Sequence, residues 1–220
     1  TYEEMLELAS VGAKVLQTRS VGPAMKEGVR VQVLSSFVED GAPPADSLPG
    51  TMIVSDEELA AAQDKDPSME RQLITGIAHD KNEAKITLTR VPDEPGAVAR
   101  IFGPLADANI NVDMIVQNVG RNSRANITFT VPKDDVFKAE KALNEALAEF
   151  EGASAKTIGD IAKVSVVGLG MRSHSGVAAI LFEALAEAGI NIEMITTSEI
   201  KISVGIRPEQ ADEAVRTAHT

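Results

Sequence analysis

The sequence has no cysteine, no tryptophan and a single tyrosine, Tyr2. Without thiols it can build neither a disulfide framework nor a thiolate metal site, a usage that suits a cytoplasmic protein. Aromatic residues make up 3% of the chain against 44% hydrophobic residues, so the core must be aliphatic. No apolar run approaches the ~18 residues needed to cross a bilayer, and no signal-peptide pattern is present. Basic charge is also scarce, with 21 Lys and Arg against 33 Asp and Glu and a formal net charge of −12. That balance opposes nucleic-acid binding, which rests on clustered Lys and Arg. It does not by itself imply a cationic partner, because a solvated acidic surface is the commoner reason. A length of 220 residues allows one or two domains with a real core. Starting at Thr1 and stopping at Thr220 straight after a helix-like stretch, the sequence reads as a fragment, a processed subunit or a chain with disordered ends.

Catalytic patterns are missing as well. His79, His174 and His219 are scattered, with no i, i+4 pair on a helix to hold a metal, and read as surface or turn residues. The stretch GLGMRSHSG (168–176) begins like a dinucleotide fingerprint, but Ser173 stands where the third glycine is needed and no long doubly wound sheet surrounds it. There is no Walker loop. Nothing forms a credible catalytic constellation.

What the sequence does have is a repeat. DEPGAVARIFGPLADANINVDM (93–114) returns as SHSGVAAILFEALAEAGINIEM (173–194), with Gly96/Gly176, Phe102/Phe182, Leu105/Leu185, Asn111/Asn191 and Met114/Met194 in register. Around it the pattern reads strand at 83–91, helix at 96–108, strands at 110–119 and 125–132, and helix at 134–150. The order then recurs, with strands at 162–169, 190–198 and 199–206 and helices at 176–188 and 208–219. Pro104 interrupts the first helix, yet the amphipathic pattern of Val98, Ile101, Phe102 and Leu105 keeps the helix assignment. Each unit is β-α-β-β-α-β, an α+β arrangement with two helices on one face of an antiparallel sheet. RNA-binding versions of this arrangement use sheet aromatics and basic flanks, which are absent. The second unit lacks a last strand and the strand at 71–80 is left over, so the first unit is read as inserted in the second.

Upstream, 3–18 reads as one amphipathic helix with Met5, Leu8, Ala9 and Leu16 on one side, and 28–37 as a strand. Residues 39–51 read as loop, 55–70 as a flexible connection or a loosely packed helix, and the domain boundary is placed in 39–70.

The loop ahead of each first helix carries the binding chemistry. Pro92 and Pro95 stiffen one of them, and Gly96 removes a side chain so that helix N–H groups can approach a ligand. Such an end suits a carboxylate, and Asp93 beside it can take an ammonium group, which together describe an α-amino acid receptor. The alternative is that Asp93 merely caps the helix or turn. Asn111 and Asn191 read equally as turn formers, and Met114 and Met194 as core.

With D-x-P-G and S-H-S-G before the helices and INVDMIVQN and INIEMITTSEIKISV after them, the chain resembles the tandem ACT domains of aspartate kinase. EEMLELASVGAKVLQTRSVGPAMKEGVRVQVLSSF (3–37) is similar to the end of that family's amino acid kinase domain, and ITGIAHDKNEAKITL (74–88) to the entry into its regulatory half. The resemblance implies residues 1–50 as a kinase-domain remnant, 51–70 as linker, 81–154 as the first ACT unit, and 71–80 plus 155–220 as the second. It implies feedback control of ATP-dependent phosphorylation of L-aspartate on the way to lysine, threonine and methionine. ATP and magnesium are then expected in a catalytic part absent from this sequence, and no cofactor on this chain. The implied partners are L-threonine and L-lysine as effectors, and a second copy or a catalytic chain of the enzyme, with neither nucleic acid nor membrane.

Residue by residue, the resemblance implies a threonine-type pocket from Asp93, Gly96, Ala97, Val98 and Gln117, completed by Asn191 and Ile192 of a facing unit. A second pocket would use Met171, Ser173, His174, Gly176, Val177, Thr197, Ser198 and Glu199, with Asp113 of the facing unit accepting a lysine ε-ammonium. A dimerisation module with vestigial pockets is the alternative. Divergence of DEP into SHS would let the two pockets differ in ligand.

Overall fold

The computed structural model describes residues 1–37, 50–65, 73–120, 122–172, 174 and 176–219. Two compact units emerge, one of Thr1–Ala78, Val166–Ser175 and Glu199–Lys201, the other of His79–Ser165, Gly176–Ser198 and Ile202–Thr220.

In the first unit, helix α1 (Tyr2–Ser10) opens with a capping box between Thr1 and Glu4. It is shorter than the 3–18 periodicity suggests. Gly12 has φ 109°, outside the helical region, and the Ala13 N–H turns back to the Leu8 carbonyl at 3.0 Å. The expected single face therefore splits. Met5 and Leu16 pack with Tyr2, Val21 and Ile53, whereas Leu8 packs with Val11, Ala78 and Val167. A second helix not anticipated from the pattern, α2 (Thr18–Glu27), ends on Gly28 in the left-handed region. The strand expected over 28–37 narrows to β1 (Val31–Val33), which pairs antiparallel with β2 (Thr51–Ile53). Helix α3 (Asp56–Lys65) starts where Ser55 Oγ accepts the Glu58 N–H at 3.2 Å, so this part of the acidic stretch is helical. Most of the 39–51 loop and residues 66–70 lie outside the described residues.

The second unit is built on a six-stranded sheet. Its elements are β3 (Gly76–Pro92), α4 (Ala97–Asp107), β4 (Asp113–Val119), β5 (Arg124–Pro132), α5 (Val136–Leu147), β6 (Ser154–Val167), α6 (Val177–Glu187), β7 (Met194–Thr197), β8 (Lys201–Ile206) and α7 (Ala211–His219). The strand order is β4-β5-β3-β6-β8-β7. Both repeats thus show the ferredoxin-like pattern, but the leftover strand is not separate. Residues 76–92 form one continuous strand, because nothing between Asp80 and Glu83 breaks the extended backbone. The strand expected to start at 162 likewise begins at Ser154, so β3 and β6 run side by side through the middle of the sheet.

The core is aliphatic, as the composition requires. Ile86, Leu88, Ile101, Leu105, Ile127 and Leu143 are buried with Phe129, which meets Phe102 at a 5.0 Å ring separation. Pro104 sits inside α4; its ring removes one backbone donor, but its carbonyl still accepts the Ala108 N–H at 3.1 Å. Met114, Ile161 and Met194 form a separate buried cluster where edge strands β4 and β7 lie against one another. Both methionines are core residues, as the repeat suggests.

Candidate functional site

The two repeats present the same backbone device. Helix α4 has Gly96 as its N-cap at φ 90°, ψ −13°, and α6 has Gly176 at φ 107°, ψ −13°. Neither helix carries a side-chain cap, so Asp93 does not cap α4. The first intrahelical bonds run from the Arg100 N–H to the Gly96 carbonyl and from the Ile180 N–H to the Gly176 carbonyl, each 3.0 Å. Amides ahead of those bonds precede the helical ladder, although the Ala97 N–H already meets the Glu94 carbonyl at 3.2 Å, and a Cβ at Gly96 or Gly176 would touch nothing within 4 Å. The positive end of the helix dipole adds to these donors, a combination suited to a carboxylate. The helix exits match too. Ile110 and Ile190 return their N–H groups to Leu105 and Leu185, and Asn109 (φ 56°) stands where Gly189 (φ 69°) does. The left-handed turn residue is therefore Asn109, not Asn111.

Asp93, Gly96, Ala97 and Val98 meet at the start of α4. Asp93 is exposed, its loop held by its own N–H donating to the Ser123 carbonyl at 2.9 Å. Ala97 is buried and Val98 is 42% exposed beside it. Gln117 lies exposed on β4 opposite Ile127, while Asn191 and Ile192 lead into β7. Ile192 lines a groove of about 420 Å³ with Lys85, Thr87, Val116, Thr128 and Glu193. Its polar walls are tied together by an ion pair between Lys85 and Glu193 and a 3.0 Å contact between the Thr87 and Thr128 hydroxyls.

Of the residues expected in the second pocket, Gly176 and Val177 open α6, Thr197 ends β7 opposite Ile202, and Ser198 follows it. Within the first unit, Met171 sits in a short turn, Leu169–Arg172. There His174 Nδ1–H donates to the Gly170 carbonyl at 3.1 Å, and Glu199 lies 3.2 Å from Arg172 Nε. Ser173 lies outside the described residues. The glycines of GLGMRSHSG serve close approach: a Cβ on Gly168 would come within 2.2 Å of the Leu73 carbonyl oxygen, and one on Gly170 within 2.5 Å of Leu73 Cα.

Asp113 opens β4 and is engaged by the ammonium of Lys163, with its other oxygen accepting the Met114 N–H at 2.8 Å. Lys163 is 4% exposed and also lies 3.8 Å from Glu83, itself 7% exposed. Burial pushes the Glu83 carboxyl above its ordinary range, against the pull of Lys163. Sequence reasoning missed this cluster. Its signal was a lone lysine inside the apolar run IAKVSVV, where an unpaired charge could not be tolerated. Among the described residues no group of three or more His, Asp or Glu side chains is placed to hold a metal ion. No helix among them is long and apolar enough to cross a membrane.

Two stretches match the ACT domain family, residues 85–150 and 164–220. The chain is 49% identical over 222 aligned residues to an aspartate kinase of Pseudomonas putida, covering all of this chain and 50% of that protein. It therefore spans about half the length of the curated relatives it matches. Among solved structures, the regulatory subunit of aspartate kinase from Thermus thermophilus is 47% identical, with a TM-score of 0.63 over 67% of this chain and 97% of that one. A structure of aspartokinase alpha and beta subunits is 50% identical, with a TM-score of 0.59 over 66% of this chain and 96% of its own. Two ACT domains, repeated helix entrances and this likeness along the sequence lead to one conclusion: the chain belongs to the aspartate kinase family, as its regulatory ACT part.

Proposed function

We propose that the chain is an amino acid sensor, binding L-threonine and L-lysine at its ACT domains to impose feedback inhibition on aspartate phosphorylation. The observation that carries this reading is the pair of helix N-termini at Gly96 and Gly176, neither with a side-chain cap, with matching backbone angles and nothing within 4 Å of where a Cβ would stand on either glycine. At the first, Asp93 takes the effector's ammonium group while the amides of α4 take its carboxylate, with Gln117 on the side chain or amine. A second copy supplies Asn191 and Ile192, so the sensor works as a homodimer through its ACT units or alongside a catalytic chain. At the second, Met171, Ser173, His174, Gly176, Val177, Thr197, Ser198 and Glu199 form the pocket, and Asp113 of the second copy offers its carboxylate to a lysine side chain.

The first ACT unit takes 81–154, inserted in a second made of 71–80 and 155–220; the adjacency of β3 and β6 supports this division. Residues 1–50 then belong to the end of an amino acid kinase domain and 51–70 to a linker. ATP, magnesium and the transfer of phosphate to the β-carboxylate of L-aspartate belong to the remainder of such an enzyme, in the cytoplasm, and this chain alone does not catalyse it. Effector binding shifts the enzyme towards its inhibited arrangement by the difference in affinity between the two states. Two effectors bridging one interface reinforce each other, typically by about 1–3 kcal/mol.

Calorimetric titration of the chain with each amino acid, alone and in the presence of the other, tests the reading. Saturable heat that vanishes in Asp93→Ala supports a sensor, and mutual enhancement supports concerted control. A folded dimer giving no heat with either amino acid would overturn it in favour of an assembly module with vestigial pockets.

A further inference from the structure

Three carboxylates of α1 engage the turn that follows β6 and the first residue of β8, all inside the first compact unit. Glu3 lies 2.9 Å from Arg172 Nη2, and Glu7 lies 2.9 Å from Lys201 Nζ. Between them Glu4 is 5% exposed. One of its oxygens accepts both the Thr75 hydroxyl and the Leu169 N–H, the latter at 2.9 Å, and the other accepts the Thr1 hydroxyl at 3.1 Å. A carboxylate so enclosed is tolerated only because donors surround it, and charge-assisted bonds of this type are about twice as strong as neutral ones. Burial resists ionisation of Glu4, but the bonds from Thr75 and Leu169 outweigh it and hold the carboxyl below its ordinary range.

Leu169 begins the short turn that carries Met171 and leads to His174. Gly168 and Gly170 press that turn against Leu73, so it has little freedom to move on its own. Arg172 is shared, meeting Glu3 of α1 on one side and Glu199 on the other. The exposed pairs contribute little stability by themselves. Glu4 is the enclosed anchor.

We infer that Glu4 is a positioning residue: it fixes the turn 169–172 to α1, so that occupancy of the second effector pocket is felt by α1 through Glu4 and Arg172. This rests on the reading of Met171, His174 and Glu199 as effector-binding residues.

Hydrogen exchange on the full 220-residue chain tests it, with Glu4→Ala and the milder Thr75→Val compared with the parent after a cooperative melt has shown each to be folded. Without any effector, the Leu169 amide should exchange at least about tenfold faster in Glu4→Ala, the scale of a lost bond to a charged acceptor. Thr75→Val should fall in between. With saturating L-lysine, exchange in α1 should slow in the parent, and this response should disappear in Glu4→Ala together with a several-fold weaker lysine affinity. A purely structural role would leave the α1 response intact. Unchanged Leu169 exchange in both variants overturns the inference, as does an undiminished α1 response in a Glu4→Ala chain that still binds lysine. If the parent binds neither amino acid, the effector reading has failed, and the ligand-free Leu169 comparison still decides whether Glu4 holds the turn.

Discussion

Lys163 Nζ lies 3.8 Å from Glu83 Oε1, with both side chains almost wholly enclosed by the second unit. Burial raises the Glu83 carboxyl, and the Thr130 hydroxyl and then Lys163 pull it only part of the way back. A carboxyl raised by folding contributes stability that is fully present below its ordinary value of 4.5 and is lost as pH climbs through the folded value. Lys163→Met removes the counter-charge and should cost about 3 kcal/mol in urea melts at pH 8. The deficit should shrink towards pH 5 as Glu83 takes up a proton. A deficit that stays constant across that range would mean Lys163 matters only for packing.

Gly96 and Gly176 share a positive φ and open surroundings, so alanine there meets strain without steric conflict. Gly96→Ala and Gly176→Ala should each destabilise the chain by about 1–2 kcal/mol, the cost of an L side chain near the left-handed region. Chemical denaturation of both variants checks this. A large cost at one and none at the other would show that the two helix entrances are not equivalent.

Asp93 is exposed and caps nothing on α4. Asp93→Ala should therefore leave the denaturation midpoint within about 0.5 kcal/mol of the parent. Its threonine affinity should fall at least about tenfold, or about 1.4 kcal/mol. Losing stability and binding in proportion would point to a damaged loop rather than a missing ligand contact.

Gly168 leaves no room for a side chain under Leu73. Gly168→Ala should cost about 1–3 kcal/mol through forced backbone displacement, and hydrogen exchange should place the loosening in residues 73–78 and 166–172. A chain as stable as the parent would mean that Leu73 moves aside freely.

The repeat made much of this fold legible. Periodicity of 3.6 in GAVARIFGPLAD and of 2 in ANITFTVP located α4 and β5 to within a residue or two, and Pro104 did not displace the helix. Element ends were less readable where a single backbone angle decided them. Gly12 stops α1 after Ser10 although the apolar pattern continues, and the polar DKNE at 80–83 gave no hint that β3 passes straight through it. At the site, the glycine ahead of each helix was visible as a motif, since only backbone geometry was at stake. The buried Lys163 cluster and the enclosure of Glu4 were not visible. Both depend on residues 50 or more positions apart, as with Lys163 and Asp113 or Glu4 and Leu169, and no local pattern encodes such meetings.

Strands β3 and β6 lie next to each other at the centre of the sheet, yet the whole of α4, β4, β5 and α5 is synthesised between them. No cut from 93 to 153 leaves both halves with an intact central strand pair. Recombination between relatives can exchange that interval as a cassette, but it cannot graft one ACT domain onto a new host without splitting a strand pair. A chain emerging from the ribosome must also leave one edge of β3 unpaired until β6 arrives, a non-local pairing of the kind that folds slowly.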